Sequence, residues 1–271
     1  MQPAECYFCM MKNYALVTGA SGGIGREIAL QLAQLGYPLL LVSRNSNELS
    51  ALAAVIERDY SVNALWLAAD LSTGNGTQQV ADWCTTHSFN IDILINNAGY
   101  GLWGNFDKLD LEAQLNMIRL NIEAPVALTS LLLPILKQSQ RAYILNVAST
   151  AAYQAVPTLA VYAATKSFIL SFSRALRNEL KAGSVSVSCL SPGPTDTGFT
   201  HRAGLDDLKE LADKFNMSPA IVARAALKGM FKNKAEIIPG FLNSAGAKVV
   251  SFIPKEFIER TLARLYRAPA K

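Results

Sequence analysis

Histidine and cysteine are scarce in this chain of 271 residues, which has two of the first and four of the second. Cys6, Cys9, Cys84 and Cys189 are too few and too scattered for a disulfide framework, so a reducing, cytoplasmic setting is expected. Cys6 and Cys9 have a CxxC spacing, but a zinc site needs a second pair of ligands. His87 and His201 stand alone, and no metal is expected. An excess of one charge sign is missing too. Lys and Arg total 25 against 21 Asp and Glu, a net +4 that is too mild to argue for nucleic acid. Arg260, Arg264, Arg267 and Lys271 near the C-terminus read equally well as a solvated helix face. Long apolar runs are also absent. PVALTSLLLPIL, at 125–136, has 12 residues where a membrane span takes roughly 20, so no stable membrane insertion is expected. The segment Met1 to Met11 lacks the basic start and long apolar core of a secretory signal. Because Met10 and Met11 stand just ahead of the first strand pattern, residues 1–12 are expected to be a poorly ordered extension.

What is present is a large apolar complement, 51% of residues, enough for one sizeable α/β core. Apolar strand patterns alternate with helical ones along the chain, the signature of a parallel sheet covered on both faces. Strands are predicted at Tyr14 to Thr18, Pro38 to Ser43, Val62 to Ala68, Ile91 to Ile95, Ala142 to Val147, Val185 to Leu190 and Glu236 to Ile238. Helices are predicted near Ile24 to Leu35, Asn47 to Arg58, Thr77 to His87, Leu111 to Lys137, Ala160 to Lys181 and Pro219 to Lys232. No repeat or low-complexity linker divides this pattern. The expected fold is a single doubly wound domain of about seven strands, a Rossmann fold, over 13–240. Residues 197–217 lack a strong β pattern and are expected to form a substrate lid, while 241–271, broken by Pro254, should be a helical tail packed on the domain.

The first strand runs into YALVTGASGGIGREIALQLAQLG, where Gly19, Gly23 and Gly25 interrupt an apolar run ahead of a helical stripe. A turn without Cβ atoms lets a dinucleotide's phosphates approach the backbone and rest on the N–H groups of the following helix. By itself the turn fits a purely structural strand-to-helix connection as well. More motifs follow in order: AADLS with Asp70 and Leu71, NNAG (Asn96 to Gly99), RLNIEAP with Asn121, NVASTAA with Ser149, VYAATK with Tyr162 and Lys166, and SPGPTDT (Ser191 to Thr197). Together with TGASGGIG they make the chain resemble the short-chain dehydrogenase/reductase family over nearly its whole length.

The chemistry of the quartet can be argued beside that resemblance. Tyr162 and Lys166 are four apart on a predicted helix, so their side chains emerge on one face. A phenol with pKa near about 10 is a poor acid or base at neutrality, but an adjacent ammonium favours the phenolate. Tyr162 can then exchange a proton with a carbonyl or hydroxyl oxygen. Ser149, at the end of the preceding strand, is placed to hydrogen-bond the same oxygen. The resemblance implies that Asn121 completes a tetrad by holding a water that links Lys166 to solvent.

For the cofactor, the resemblance implies contacts from Gly19, Ser21, Gly22, Gly23, Ile24 and Gly25 in the turn. Further contacts are implied for Asp70, Leu71, Asn97, Ala98, Gly99, Tyr162, Lys166, Pro192, Gly193, Thr195 and Thr197. The second strand ends in Ser43 and Arg44 with no carboxylate until Glu48, which favours the 2′-phosphate of NADP(H) over NAD(H). Many NADP-using relatives also carry a basic residue in the glycine turn, where this chain has Gly22. Tyr100, Leu102, Trp103, Phe106, Tyr153, Val156 and Phe199 fall on the loops expected to hold the substrate. They suggest the apolar body of a small-molecule carbonyl or alcohol.

The leading expectation is an NADP(H)-dependent oxidoreductase acting on apolar ketones, aldehydes or secondary alcohols. The alternatives are an NAD-dependent alcohol dehydrogenase and a nucleotide-sensing protein without catalysis. Apolar residues on more than one helix face (Leu128, Leu131, Leu132, Ile135; Phe168, Ile169, Phe172), with the pairing that relatives use, imply a homodimer or homotetramer.

Overall fold

The computed structural model describes residues 13–196, 216–249 and 253–265. Its centre is a sheet of seven strands, all parallel, in the order β3-β2-β1-β4-β5-β6-β7. The strands are β1 Tyr14–Thr18, β2 Leu39–Ser43, β3 Ala64–Ala68, β4 Ile91–Asn96, β5 Ala142–Val147, β6 Val185–Leu190 and β7 Glu236–Ile237. In β1, β2 and β4 almost every residue is buried, because helices cover both faces. Alternate residues feed two separate cores. Val17, Leu41, Ile95 and Leu145 face one side with Ile28, Leu32, Val222 and Met230. Leu16, Leu40, Leu94 and Ile144 face the other with Val80, Cys84, Leu128 and Leu132. Each such side chain removed from water contributes about 1.5–3 kcal/mol.

The covering helices are α1 Gly23–Gln34, α2 Ser46–Tyr60, α3 Gly76–Thr86, α4 Leu111–Ile118, α5 Ala124–Leu136, α6 Ala160–Glu179, α7 Pro219–Phe231, α8 Phe241–Val249 and α9 Lys255–Leu265. They make one doubly wound domain, with helix α7 packed on α1, where Gln31 donates to the Ala220 carbonyl at 2.9 Å. Pro254 separates α8 from α9, as expected of a residue that cannot continue a helix.

The structure corrects two expectations. The helix predicted at 111–137 runs unbroken over Leu111–Leu136, but it is not plain α-helix: a π turn at Arg119–Glu123 lies between α4 and α5. The whole run Leu111–Leu136 is long and apolar enough to cross a membrane. Here, however, Leu128, Leu132 and Leu136 are buried against the sheet. For the same reason the Leu128 and Leu132 face is intramolecular core and not a surface for a second subunit. Ile169 is likewise buried in its own chain.

Candidate active site

Strand order reverses between β1 and β4, and the glycine turn sits at the end of β1. Gly19 has φ +63° and Gly23 φ +54°, the left-handed region that favours glycine. A Cβ on Gly25 would lie 2.3 Å from the Gly19 carbonyl oxygen, so the fold itself requires that position bare. A Cβ on Gly22 would meet nothing within 4 Å, so packing within the chain does not require that position bare. Helix α2 begins on a side-chain cap, the Asn45 carbonyl oxygen accepting from the Asn47 and Glu48 N–H groups. Helix α1 has neither a side-chain cap nor an acidic residue in its first turn. An uncapped N-terminus behind an open glycine turn fits a diphosphate.

The turn is braced from the neighbouring strand. The buried Thr18 hydroxyl donates to the Ile95 carbonyl at 3.1 Å and accepts from the N–H groups of Asn97 and Ala98 at 3.0 and 3.1 Å. The Asn97 amide donates to the carbonyls of Thr18 and Gly19 at 2.9 and 3.2 Å. Asn97 therefore shapes the turn with its side chain. Ile24 packs on one core and Leu71 is buried in the other, so their side chains serve the fold. Ser21 is half-buried in the turn.

At the end of β2, Ser43 is buried and its hydroxyl accepts from the Asn45 N–H at 3.3 Å, while Arg44 is exposed. Across from them, Asp70 Oδ1 accepts from the Ser72 N–H at 3.0 Å and from its hydroxyl at 2.6 Å. Burial raises the Asp70 pKa, but the two Ser72 bonds and the Arg44 charge outweigh it and leave the carboxyl below its ordinary value. Arg44 and Asp70 are thus close enough to sense each other, on the side where a nucleotide's adenosine would lie.

The catalytic candidates come from three elements. Ser149 caps the short 3-10 turn Thr150–Tyr153, its Oγ accepting from the Ala151 N–H at 3.1 Å. Tyr162 and Lys166 emerge from the first turns of α6, both buried. Lys166 Nζ donates to the Val147 carbonyl at 3.0 Å and lies 5.8 Å from the centre of the Tyr162 ring. Burial lowers the Lys166 pKa to about 8. Asn121 is in the π turn, with Oδ1 accepting from the Tyr100 N–H at 3.1 Å and Nδ2 donating to the Tyr100 carbonyl at 2.9 Å and Thr165 Oγ1 at 3.1 Å. A Cβ on Gly99 would approach Asn121 Oδ1 to 2.8 Å and Lys166 Nζ to 3.3 Å, which places these groups together beneath the NNAG loop. The sequence held an overlooked signal here. Pro125 has no N–H for the carbonyl four residues back, that of Asn121, so this carbonyl loses its α-helical donor.

Around Tyr162 the structure gathers Met117, Val156, Leu159 and Ala163, with Tyr100, Leu102 and Trp103 against them. Leu262 of α9 joins this cluster, a residue that sequence reading did not single out. Phe106 instead stands exposed. Tyr153 turns its hydroxyl to Ser191 and to the Glu236 carboxylate, so its polar end is committed to β7. After β6, Thr150 N–H donates to Pro192 O at 2.9 Å, and Thr195 bridges to Met217. Gly193 lies against Asn243 of α8, where a Cβ would fall 2.5 Å from Nδ2. Thr197, Phe199 and most of the expected lid lie outside the described residues, as do residues 1–12.

These features agree with what known proteins show. Residues 13–207 match the family model described as short chain dehydrogenase. An uncharacterized oxidoreductase of Staphylococcus epidermidis is 32% identical over 211 residues, covering 78% of this chain and 90% of that one. A very-long-chain 3-oxoacyl-CoA reductase of Laccaria bicolor is 34% identical over 180 residues, which cover 66% of this chain and about half, 53%, of that one. Among solved structures, a short-chain dehydrogenase from Sphingobium yanoikuyae in complex with NADPH superimposes with a TM-score of 0.79 at 30% identity, over 90% of this chain and 96% of that one. With its parallel sheet, its open glycine turn and the matches just given, the chain belongs to the short chain dehydrogenase family and is an oxidoreductase acting between CH–OH and carbonyl with a nicotinamide nucleotide.

Proposed function

We propose that the protein reduces the carbonyl of an apolar ketone or aldehyde with NADPH and oxidises the corresponding alcohol in reverse. The observation that carries this reading is the apolar wall of Tyr100, Leu102, Trp103, Val156 and Leu262 around Tyr162, with the buried Lys166 ammonium beneath its ring. Such a wall accepts a hydrocarbon body and leaves one polar atom to be recognised at the tyrosine. The turn at Gly19 to Gly25, Asp70, Gly99 and the loop at Pro192 and Gly193 would hold the nucleotide. Arg44, with no carboxylate beside it on the strand end, favours the 2′-phosphate.

When bound, the nicotinamide supplies or accepts the hydride. The chain's own residues handle the proton and the charge. Because Ser149 Oγ already accepts the Ala151 N–H, its own proton is left to donate to the substrate oxygen. Tyr162 Oη gives its proton to that oxygen as negative charge develops there, and the Lys166 ammonium stabilises the phenolate that remains. Asn121, whose main-chain carbonyl has no α-helical donor at Pro125, would hold a water on the route that returns a proton to Lys166.

The test is a carbonyl panel followed at the NADPH absorbance, spanning bulky aryl ketones, ring ketones, 3-oxoacyl thioesters and small keto acids. Turnover is expected with the apolar members, and Tyr162→Phe should lower kcat by about 10² or more with NADPH affinity retained. Turnover confined to small keto acids, or more than about a tenth of wild-type kcat in Tyr162→Phe, overturns this reading.

A further inference from the structure

Beyond the quartet, a carboxylate on the far edge of the sheet is tied to two of the three elements that carry it. Glu236 opens the two-residue strand β7, paired with Cys189 of β6. One of its oxygens accepts from the Tyr153 hydroxyl, and the other accepts from Arg174 Nη1 at 3.0 Å. Tyr153 is the last residue of the 3-10 turn that Ser149 caps. Arg174 lies on α6, eight residues beyond Lys166 on one continuous helix. We propose that Glu236 is a positioning residue, which holds the Ser149 turn and helix α6 in register so that the serine and tyrosine hydroxyls converge on one substrate oxygen. The proposal rests on the reductase reading above.

The local bonds show why a tether at Tyr153 matters. The 3-10 turn has four residues, too short to fix its own direction through internal hydrogen bonds. It is held from outside at three places. Thr150 N–H donates to the Pro192 carbonyl at 2.9 Å, Ser167 Oγ of α6 donates to the Ala152 carbonyl at 2.7 Å, and Tyr153 reaches Glu236. The first tie fixes the start of the turn and the second its middle. The third fixes its end, and Glu236 does so from a side chain that also bonds Arg174 of α6. The Ser191 hydroxyl, 3.1 Å from Tyr153 Oη, completes the cage on the phenol. Burial first, and the Glu236 bond second, hold the Tyr153 phenol above its ordinary pKa, so its proton stays on Tyr153 and the bond keeps its direction. An error of about 1 Å in the placement of a reacting group can cost on the order of 10²-fold in rate, so a small swing of the turn is enough to be felt.

A double-mutant cycle on kcat separates this role from simple support of the fold. Tyr153→Phe keeps the ring and removes the tether, and it should lower kcat about tenfold while NADPH affinity stays within twofold. In a Ser149→Ala background, read by single turnover, the same change should cost less than twofold, because the group it positions is already gone. Glu236→Leu should reproduce the Tyr153→Phe loss. Glu236→Gln, whose amide oxygen still accepts from Tyr153, should recover to within about threefold of wild type. An equal loss in both backgrounds, or wild-type kcat in Tyr153→Phe, overturns the proposal while leaving the reductase reading intact. A wild-type protein inactive on the whole carbonyl panel overturns the reductase reading, and the positioning role with it.

Discussion

Replacing Lys166 by methionine removes a charge that the folded chain holds at a cost. The side chain is buried, with the Val147 carbonyl as its acceptor at 3.0 Å, and burial lowers its pKa from 10.5 to about 8. That fall corresponds to about 3 kcal/mol of differential interaction between the charged and neutral forms. Between pH 8 and 10.5 the unfolded chain binds the proton more tightly than the folded one, so this group's contribution to stability rises with pH across that window. Below pH 8 the full cost is present. At pH 7 it is about 3 kcal/mol and at pH 9 about 2 kcal/mol, a difference of about 1 kcal/mol. The absolute stability of Lys166→Met also reflects the orphaned Val147 carbonyl and the changed packing, but neither of these titrates. The measurement is therefore the stability gap between variant and wild type, from urea unfolding without nucleotide at pH 7 and pH 9. The gap should move in favour of wild type by about 1 kcal/mol as the pH rises. A gap that stays constant to within about 0.3 kcal/mol would refute the assignment of a costly buried ammonium.

Arg44→Ala should weaken NADPH about tenfold or more and NADH little, because only NADPH offers a phosphate to the guanidinium; equal losses in titrations of both nucleotides would remove the support for NADP(H). Gly22→Ala should leave the thermal midpoint nearly unchanged yet sharply reduce nucleotide affinity, since its Cβ would meet no protein atom within 4 Å. Gly25→Ala should lower the midpoint as well, because its Cβ would strike the Gly19 carbonyl at 2.3 Å, and calorimetry with and without nucleotide tells the two apart. We also expect a homodimer or homotetramer formed through α4 and α6, where Leu111, Leu115 and Phe168 are exposed and Phe168 stacks on Phe172. Phe168→Glu should shift light scattering toward the 29.3 kDa monomer; a wild-type monomer at micromolar concentration would defeat this.

Strand positions were legible because each strand is a short apolar run closed by glycine, proline or polar residues, and β1, β5 and β6 fall where the pattern puts them. The candidate quartet could be named from the sequence because each member is carried by a local motif. The misses are of another kind. A hydrophobic stripe gives the face of a helix but not its hydrogen-bond register, so the π turn around Asn121 passed as plain helix, although Pro125 hinted at it. Nor does a loop aromatic announce which way it points. Tyr153 and Tyr100 look alike in sequence, yet one hydroxyl is drawn to Glu236, 83 positions away, and the other to the nearby Ala113 carbonyl. Leu262 could not be placed beside Tyr162 without knowing how the chain returns after β7.

The bond set centred on Thr18 has a mechanical consequence. One hydroxyl and one amide, those of Thr18 and Asn97, stitch the ends of β1 and β4 together where the two halves of the sheet meet. Prising those strands apart would break five hydrogen bonds at once, so the floor of the cleft behaves as a hinge-free plate. Traffic of nucleotide and substrate must then be accommodated by the connections above the plate. A motion that admits ligand can be quick there and leave the amide protons of β1 and β4 among the slowest to exchange in the molecule.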